Sequence, residues 1–111
     1  MMHEVKAIIR LERLADVIHA IHEIPDLPGV TVSTVQGYGR RTLDDSDSGV
    51  VFGEVDMAKL EIVVPSDLLS DVLQRIQRLA RTGGPGDGKI FVTDVRLAIS
   101  IRTGEQGRSA I

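Results

Sequence analysis

The chain carries two kinds of apolar pattern, one with a period of two residues and one with a period of three to four. Val5, Ala7 and Ile9 alternate with polar Glu4 and Lys6, an alternation that Ile8 breaks. This pattern is typical of a strand with one buried face. We therefore predict a first strand over residues 3–10. Further strands are predicted over residues 30–38, 55–64, 89–93 and, as a short final strand, 98–102.

Two longer segments have the spacing of a helix that buries one face. The first runs over about residues 12–24 and ends at Pro25, and the second runs over about residues 66–81. Ser66 is expected to cap the second helix, with Asp67 in its first turn. The apolar faces are formed by Leu14, Val17, Ile18, Ile21 and Ile24, and by Leu68, Leu69, Val72, Leu73, Ile76 and Leu79.

The order of elements is β-α-β-β-α-β, followed by the short final strand. This order predicts an α+β, ferredoxin-like fold, in which both helices lie on one face of an antiparallel sheet. No third helix is left to cover the other face of the sheet. Self-association is the economical way to cover that face, so we expect an oligomer.

Composition narrows the class of protein. The 111 residues suffice for one domain, spanning 1–111, and they include 42% hydrophobic and 3% aromatic residues, so the core is built from aliphatic side chains. The net charge is −3 with no basic stripe, which argues against nucleic acid as the partner. Without cysteine, a signal-like N-terminus or a long apolar run, the chain is expected to be cytoplasmic, with no membrane insertion.

The segment Thr82–Phe91 (TGGPGDGKIF) carries the clearest chemical signal. Glycines permit positive φ and close approach of a ligand to the backbone. Successive N–H groups in such a turn form a concave anion site, and Lys89 adds a cation at its rim. The alternative interpretation is a glycine-rich connecting turn that carries a surface lysine.

Two further segments combine arginine with glycine. Arg102 lies in the segment RTGE, where paired guanidinium donors suit a phosphate, and Arg40 and Arg41 follow the glycines of the segment GYG. The alternatives are a solvated arginine and a basic turn at a strand end. Residues 43–49 are acidic and are expected to form a flexible loop, and His19 and His22 are expected to be surface residues, so no metal site is predicted.

Five segments in the same order resemble the PII nitrogen-regulatory family along essentially the whole chain. The family's mobile T-loop corresponds to about residues 39–55, its B-loop to about 82–89 and its C-loop to about 100–105. The matching segments are 5–10, 29–40, 59–65, 82–91 and 101–105.

This resemblance implies a homotrimer that binds ADP, AMP or ATP in clefts between subunits and controls a partner, such as a membrane transporter, through its T-loop. Gly39 is implied to be the hinge of that loop. The residues implied to hold the phosphates are Gly86, Asp87, Gly88 and Lys89, with added charge from Arg40 and Arg102. Thr82 is also implied to belong to the nucleotide site. The residues implied to surround the base and ribose are Ile8, Thr31, Gly37, Glu61 and Val63.

Three positions depart from the family. Arg41 replaces a glutamine that helps to bind magnesium and 2-oxoglutarate, Met57 replaces a lysine that pairs with 2-oxoglutarate, and Ser100 replaces the first C-loop arginine. We therefore expect ADP or AMP to be favoured over ATP, and we expect little response to 2-oxoglutarate. The family's uridylylated tyrosine is absent, so no uridylylation is expected. The role of magnesium stays open.

More than one interpretation stays open for the partner and for the class of function. Ammonium transport is the family default, and links to bicarbonate uptake, carboxysomes or metal efflux remain, as does a small anionic effector. A regulator without enzymatic activity is the first hypothesis. A slow ATPase and a structural or metal-tolerance trimer without nucleotide are the alternatives.

Overall fold

The computed structural model describes residues 1–42 and 50–111, with side chains for 1–39 and 54–111. The strands are β1 (Met2–Arg10), β2 (Thr31–Thr42), β3 (Val50–Pro65) and β4 (Gly88–Val95). The helices are α1 (Leu14–His22), which follows a 3₁₀ turn at Leu11–Arg13, and α2 (Ser66–Ala80). A second 3₁₀ turn, Gly107–Ala110, lies near the C-terminus.

The four strands form one antiparallel sheet in the order β2-β3-β1-β4. Each half of the chain contributes a strand, a helix and a second strand, and the two halves meet at the central pair β3 and β1. This is the split β-α-β arrangement of a ferredoxin-like fold. The predicted fold class is therefore confirmed.

The core lies between the helices and one face of the sheet, which we call the helix face. Val5, Ala7 and Ile9 of β1 are buried on it, as the alternation of strand side chains requires. Ile21 of α1 and Ile76 of α2 are fully buried against the same cluster. The aliphatic core predicted from composition is therefore found in these two layers.

The opposite face of the sheet, which we call the open face, has no helix over it among the described residues. Lys6 and Ile8 of β1 alternate with the buried core residues and lie on this face. Lys59 and Glu61 of β3 pair with these strand positions and form an ion pair with a 3.5 Å Nζ–Oε1 distance. The open face thus carries charged side chains and is accessible for contact with another surface.

The predicted final strand over residues 98–102 is wrong. The chain there folds into a tight turn with a single bridge between Ile99 and Gln106. The amide of Ser100 donates to the carbonyl of Glu105 at 2.9 Å, and the amide of Gly104 donates to the carbonyl of Ser100 at 2.8 Å. Gly104 has a φ of 75°, so the chain turns back on itself instead of extending along the sheet.

The predicted capping role of Ser66 is also wrong. Ser66 is the first residue of α2, and its side chain makes no capping hydrogen bond. Its hydroxyl instead donates to the carbonyl of Met1 at 3.1 Å and lies 2.8 Å from Nε2 of His3, whose Nδ1 is 3.0 Å from a carboxylate oxygen of Asp94. Ser66 therefore ties the start of α2 to the first strand.

Candidate functional site

The glycine-rich loop between α2 and β4 has a backbone that glycine alone adopts easily. Gly83, Gly86 and Gly88 have φ values of 92°, 91° and 101°, in the region that L side chains avoid. A Cβ atom on Gly88 would overlap the carbonyl oxygen of Ile8, because β4 begins against β1 at this point. Position 88 therefore requires glycine for two reasons, its positive φ and the lack of space for a Cβ atom.

The Asp87 side chain closes this loop from inside. Its carboxylate accepts hydrogen bonds from the amides of Thr82 and Gly83, both at 2.9 Å, and from the hydroxyl of Thr82. It also accepts one from Nε of Arg10 at 3.0 Å. These donors, led by the Thr82 hydroxyl and Arg10, hold the pKa of Asp87 well below its usual range. The Asp87 carboxylate is thus bonded to donors of its own loop and to Arg10.

Arg10 belongs to this site, although no local pattern in the sequence indicates it. Besides its bond to Asp87, it donates from Nη2 to the carbonyl of Pro85 at 2.6 Å. It lies 75 residues before Pro85 in the chain, and strand alternation indicates only that it faces away from the core. Residue spacing within one strand or helix therefore cannot predict the contact between Arg10 and Pro85.

Lys89 and Ile8 meet at the edge of the open face. They are cross-strand partners in the β1–β4 register, and Lys89 is exposed. A cavity of about 410 Å³ adjoins the loop on the helix side of the sheet and is lined by Asp87, Gly88 and Lys89 together with Gln77 and Ala80 of α2. The lysine and the backbone turn therefore lie together at the sheet edge, with this cavity on their helix side.

Three of the residues assigned to the base and ribose form a second group. Thr31 and Glu61 are cross-strand partners, and Val63 follows two residues along β3 on the same face. All three line a different cavity of about 410 Å³, which the C-terminal Ile111 also borders. The predicted site residues thus fall into two groups, one near each edge of the sheet.

Three other predicted residues line neither cavity. Gly37 pairs with Val55 further along the β2–β3 ribbon. Met57 is buried, with 8% of its surface exposed, and it is the cross-strand partner of Arg10 on the open face of the sheet. Arg102 is exposed in the C-terminal turn, next to the fully exposed Ile101.

The part of the chain assigned to the T-loop is only partly described. Gly39 pairs with Gly53, so the strands continue into this segment. The backbones of Arg40 and Arg41 continue β2, but their side chains lie outside the described residues. The acidic segment 43–49 lies wholly outside them.

Two negative findings apply to the described parts of the chain. Across residues 1–42 and 50–111, neither helix has the length and apolar character needed to cross a membrane. Within the same ranges, no three His, Asp or Glu side chains gather as a metal site would require.

Known proteins resemble this chain over nearly its whole length. The model of the family "Nitrogen regulatory protein P-II" matches residues 2–105. Nitrogen regulatory protein P-II 1 of Methanothermobacter thermautotrophicus is 46% identical, over 99% of this chain and 97% of the relative.

Solved structures agree in fold. The ATP complex of GlnK from B. subtilis has a TM-score of 0.86 at 31% identity, over 99% of this chain and 95% of that one. The Arabidopsis thaliana PII bound to citrate has a TM-score of 0.81 at 41% identity, over 99% and 92% of the two chains. The chain therefore belongs to the P-II nitrogen regulatory protein family.

Proposed function

We propose that this protein is a trimeric signal-transduction regulator that binds an adenine nucleotide in the clefts between its subunits. Proteins of the P-II family are trimers with regulatory roles. One observation carries the proposal for this chain. The glycine-rich loop lies near the β4 edge of the sheet, whereas three residues assigned to the base and ribose, Thr31, Glu61 and Val63, lie towards the β2 edge. A single copy holds both halves of a site without joining them.

The distance between the two halves follows from the order of the strands. Thr31 lies in β2 and Lys89 in β4, which are the two edge strands. Three strand spacings separate these edges, or about 14 Å. A second copy whose β2 edge lies beside the β4 edge of the first would unite the two halves. Such head-to-tail contacts close into a ring when the rotation permits, and three copies are the family's solution.

Exposed apolar side chains support this assembly. Phe91 of β4 is 49% exposed on the open face. Leu97, Ile99 and Ile101 follow it, and Ile101 has no cover in the single chain. Burying one such side chain contributes about 1.5–3 kcal/mol. These residues are therefore suited to contacts between copies.

The glycine-rich loop supplies the phosphate contacts in this proposal. The amides of Gly86, Asp87, Gly88 and Lys89 follow one another around a turn, an arrangement that binds anions. Lys89 adds a charged donor. The ATP complex of the B. subtilis relative supports an adenine nucleotide as the ligand.

We further propose that ADP or AMP is favoured over ATP. A third phosphate adds negative charge at the outer end of the cleft. Here Met57 is buried and apolar, and Ser100 has only a neutral hydroxyl. Each missing charged contact costs about 1.5–3 kcal/mol. The inner phosphates lose less, because the loop amides remain. Arg41 is cationic and would offset the preference if it swung inward to the outer phosphate.

The regulated output is assigned to the T-loop segment, about residues 39–55. The paired ends of β2 and β3 form its base, so a ligand beside Gly37 or Gly39 would act directly on that base. A membrane transporter is the proposed partner. Little response to 2-oxoglutarate is expected, while the citrate bound to the Arabidopsis relative supports a small carboxylate as an effector to test.

Calorimetric titration at one magnesium concentration and ionic strength tests the proposal, with light scattering on the same sample. The expected result is a trimer that binds ADP and AMP more tightly than ATP. Binding of no nucleotide would instead indicate a structural or metal-tolerance trimer. Steady phosphate release from ATP would indicate a slow ATPase, and a stable monomer would overturn the assembly.

A further inference from the structure

We propose that Arg10 is a positioning residue for the glycine-rich loop at about residues 82–89, which we call the phosphate loop. Arg10 fixes the conformation of this loop and keeps it positively charged. The inference rests on the proposed nucleotide site. It concerns a side chain from the other end of the sequence that need not touch the ligand. Two arguments carry it, one geometric and one electrostatic.

The geometric argument concerns Gly86. The Arg10 guanidinium bonds Asp87 through Nε at 3.0 Å and the carbonyl of Pro85 through Nη2 at 2.6 Å. These two residues flank Gly86, whose φ of 91° sets the direction of the turn. A Cβ atom on Gly86 would lie 3.5 Å from Nη2 of Arg10, so the guanidinium lies directly under this peptide. Arg10 therefore fixes both neighbours of the residue on which the amide directions depend.

The electrostatic argument concerns the charge of Asp87. The side chains of Arg10 and Asp87 are 28% and 24% exposed, so water screens this pair only in part. Arg10 compensates Asp87 and leaves the charge of Lys89 available to an anion. Without Arg10, the uncompensated carboxylate of Asp87 would offset the positive charge of Lys89, which follows it closely in the chain. Glu12 also approaches Arg10, at 4.0 Å from Nη1, but its side chain is 69% exposed and the contact is weaker.

A purely structural role would affect every ligand equally, whereas positioning of the phosphate loop would not. Adenosine has the base and ribose but no phosphate, so its binding does not depend on the loop amides. Loss of Arg10 should therefore weaken ADP and leave adenosine nearly unchanged. The ratio of the two affinities is the informative quantity.

The experiment compares Arg10→Met with wild type by titration with ADP and with adenosine. We expect the affinity for ADP to fall by about tenfold or more, and the affinity for adenosine to change by about twofold at most. Arg13→Met is the matched control, because Arg13 lies three residues on and pairs with Asp16 at 3.9 Å, away from the loop. This control should bind ADP as wild type does.

Two more variants separate shape from charge. Arg10→Lys keeps the charge but cannot form both fork contacts, so it should recover part of the ADP affinity. In an Asp87→Asn background, Arg10→Met should cost less than in wild type, because the carboxylate to be compensated is gone. Thermal melts confirm that each variant is folded, and Arg10→Lys replaces Arg10→Met if the latter unfolds.

The outcomes are distinct. Wild-type ADP affinity in Arg10→Met, or in Arg10→Lys if only that variant folds, would overturn the inference. So would an equal loss of ADP and adenosine binding. A wild-type protein that binds neither ligand would instead refute the proposed function itself.

Discussion

The phosphate loop and the C-terminal turn are both glycine-bearing turns with one candidate phosphate cation, Lys89 in the first and Arg102 in the second. They differ in what holds them. The phosphate loop is closed within the chain by Asp87 and Arg10. The C-terminal turn exposes Ile101 completely. Local backbone hydrogen bonds, such as that from Gly104 to Ser100, close this second turn. Both turns are therefore organised within one chain, but the first depends on a distant strand, whereas the second offers its apolar side chain to another copy.

The glycines of the two turns give the largest expected contrast. Gly88→Ala should destabilise the fold by about 3–5 kcal/mol, because it combines a positive φ with overlap against the Ile8 carbonyl. Gly104→Ala should cost only about 1–2 kcal/mol, since φ is also positive there but no atom lies within 4 Å of the added Cβ. Urea unfolding of both variants measures the difference, and equal losses would contradict the steric argument.

The contribution of Ile101 tests the dependence of the C-terminal turn on assembly. Ile101→Asp should weaken the trimer by about 3 kcal/mol per interface, because an apolar side chain is replaced by a charge that would be buried between copies. Light scattering over a dilution series measures this. Glu105→Gln in the same turn is the control. A trimer of unchanged stability in Ile101→Asp would mean that this turn stays solvated.

The next prediction concerns the charge that Lys89 contributes to the phosphate loop. Lys89→Ala should weaken ADP binding by about tenfold or more while the trimer remains folded, because a charge-assisted hydrogen bond is lost. Arg78→Ala, on the exposed side of α2, removes the same charge elsewhere and should have little effect. Equal affinity in the two variants would remove Lys89 from the site.

The ionisation of Asp87 gives the smallest effect. Because the pKa of this carboxyl is lowered in the folded chain, its contribution to stability is fully present above the unfolded value of about 4. The contribution is lost as the pH falls below that value towards the folded pKa. Amide exchange at Thr82 and Gly83 should therefore be slower in wild type than in Asp87→Asn above about pH 4. This difference should shrink as the pH is lowered below about 4. Indistinguishable exchange would contradict the lowered pKa, and Gly104 serves as the internal reference.

The sequence by itself determined the order of elements and the location of the glycine-rich loop. Period-two and helical spacings are local properties, so the segments around Val5 and Ile76 could be assigned to the core without knowledge of their neighbours. The demand for glycine at positions such as 88 is also local in part, because φ belongs to one residue. The family resemblance added the expected ligand.

Only the tertiary structure decided which distant residues meet. Arg10 reaches Asp87 because β1 and β4 are neighbours in the sheet. Ser66 bonds Met1 instead of capping its helix because the first strand begins beside the start of α2. The final strand failed because no neighbouring strand is present to pair with residues 98–102 in the described part of the chain. Hydrogen-bond partners depend on where strands cross in space, and one-dimensional spacing does not carry that information.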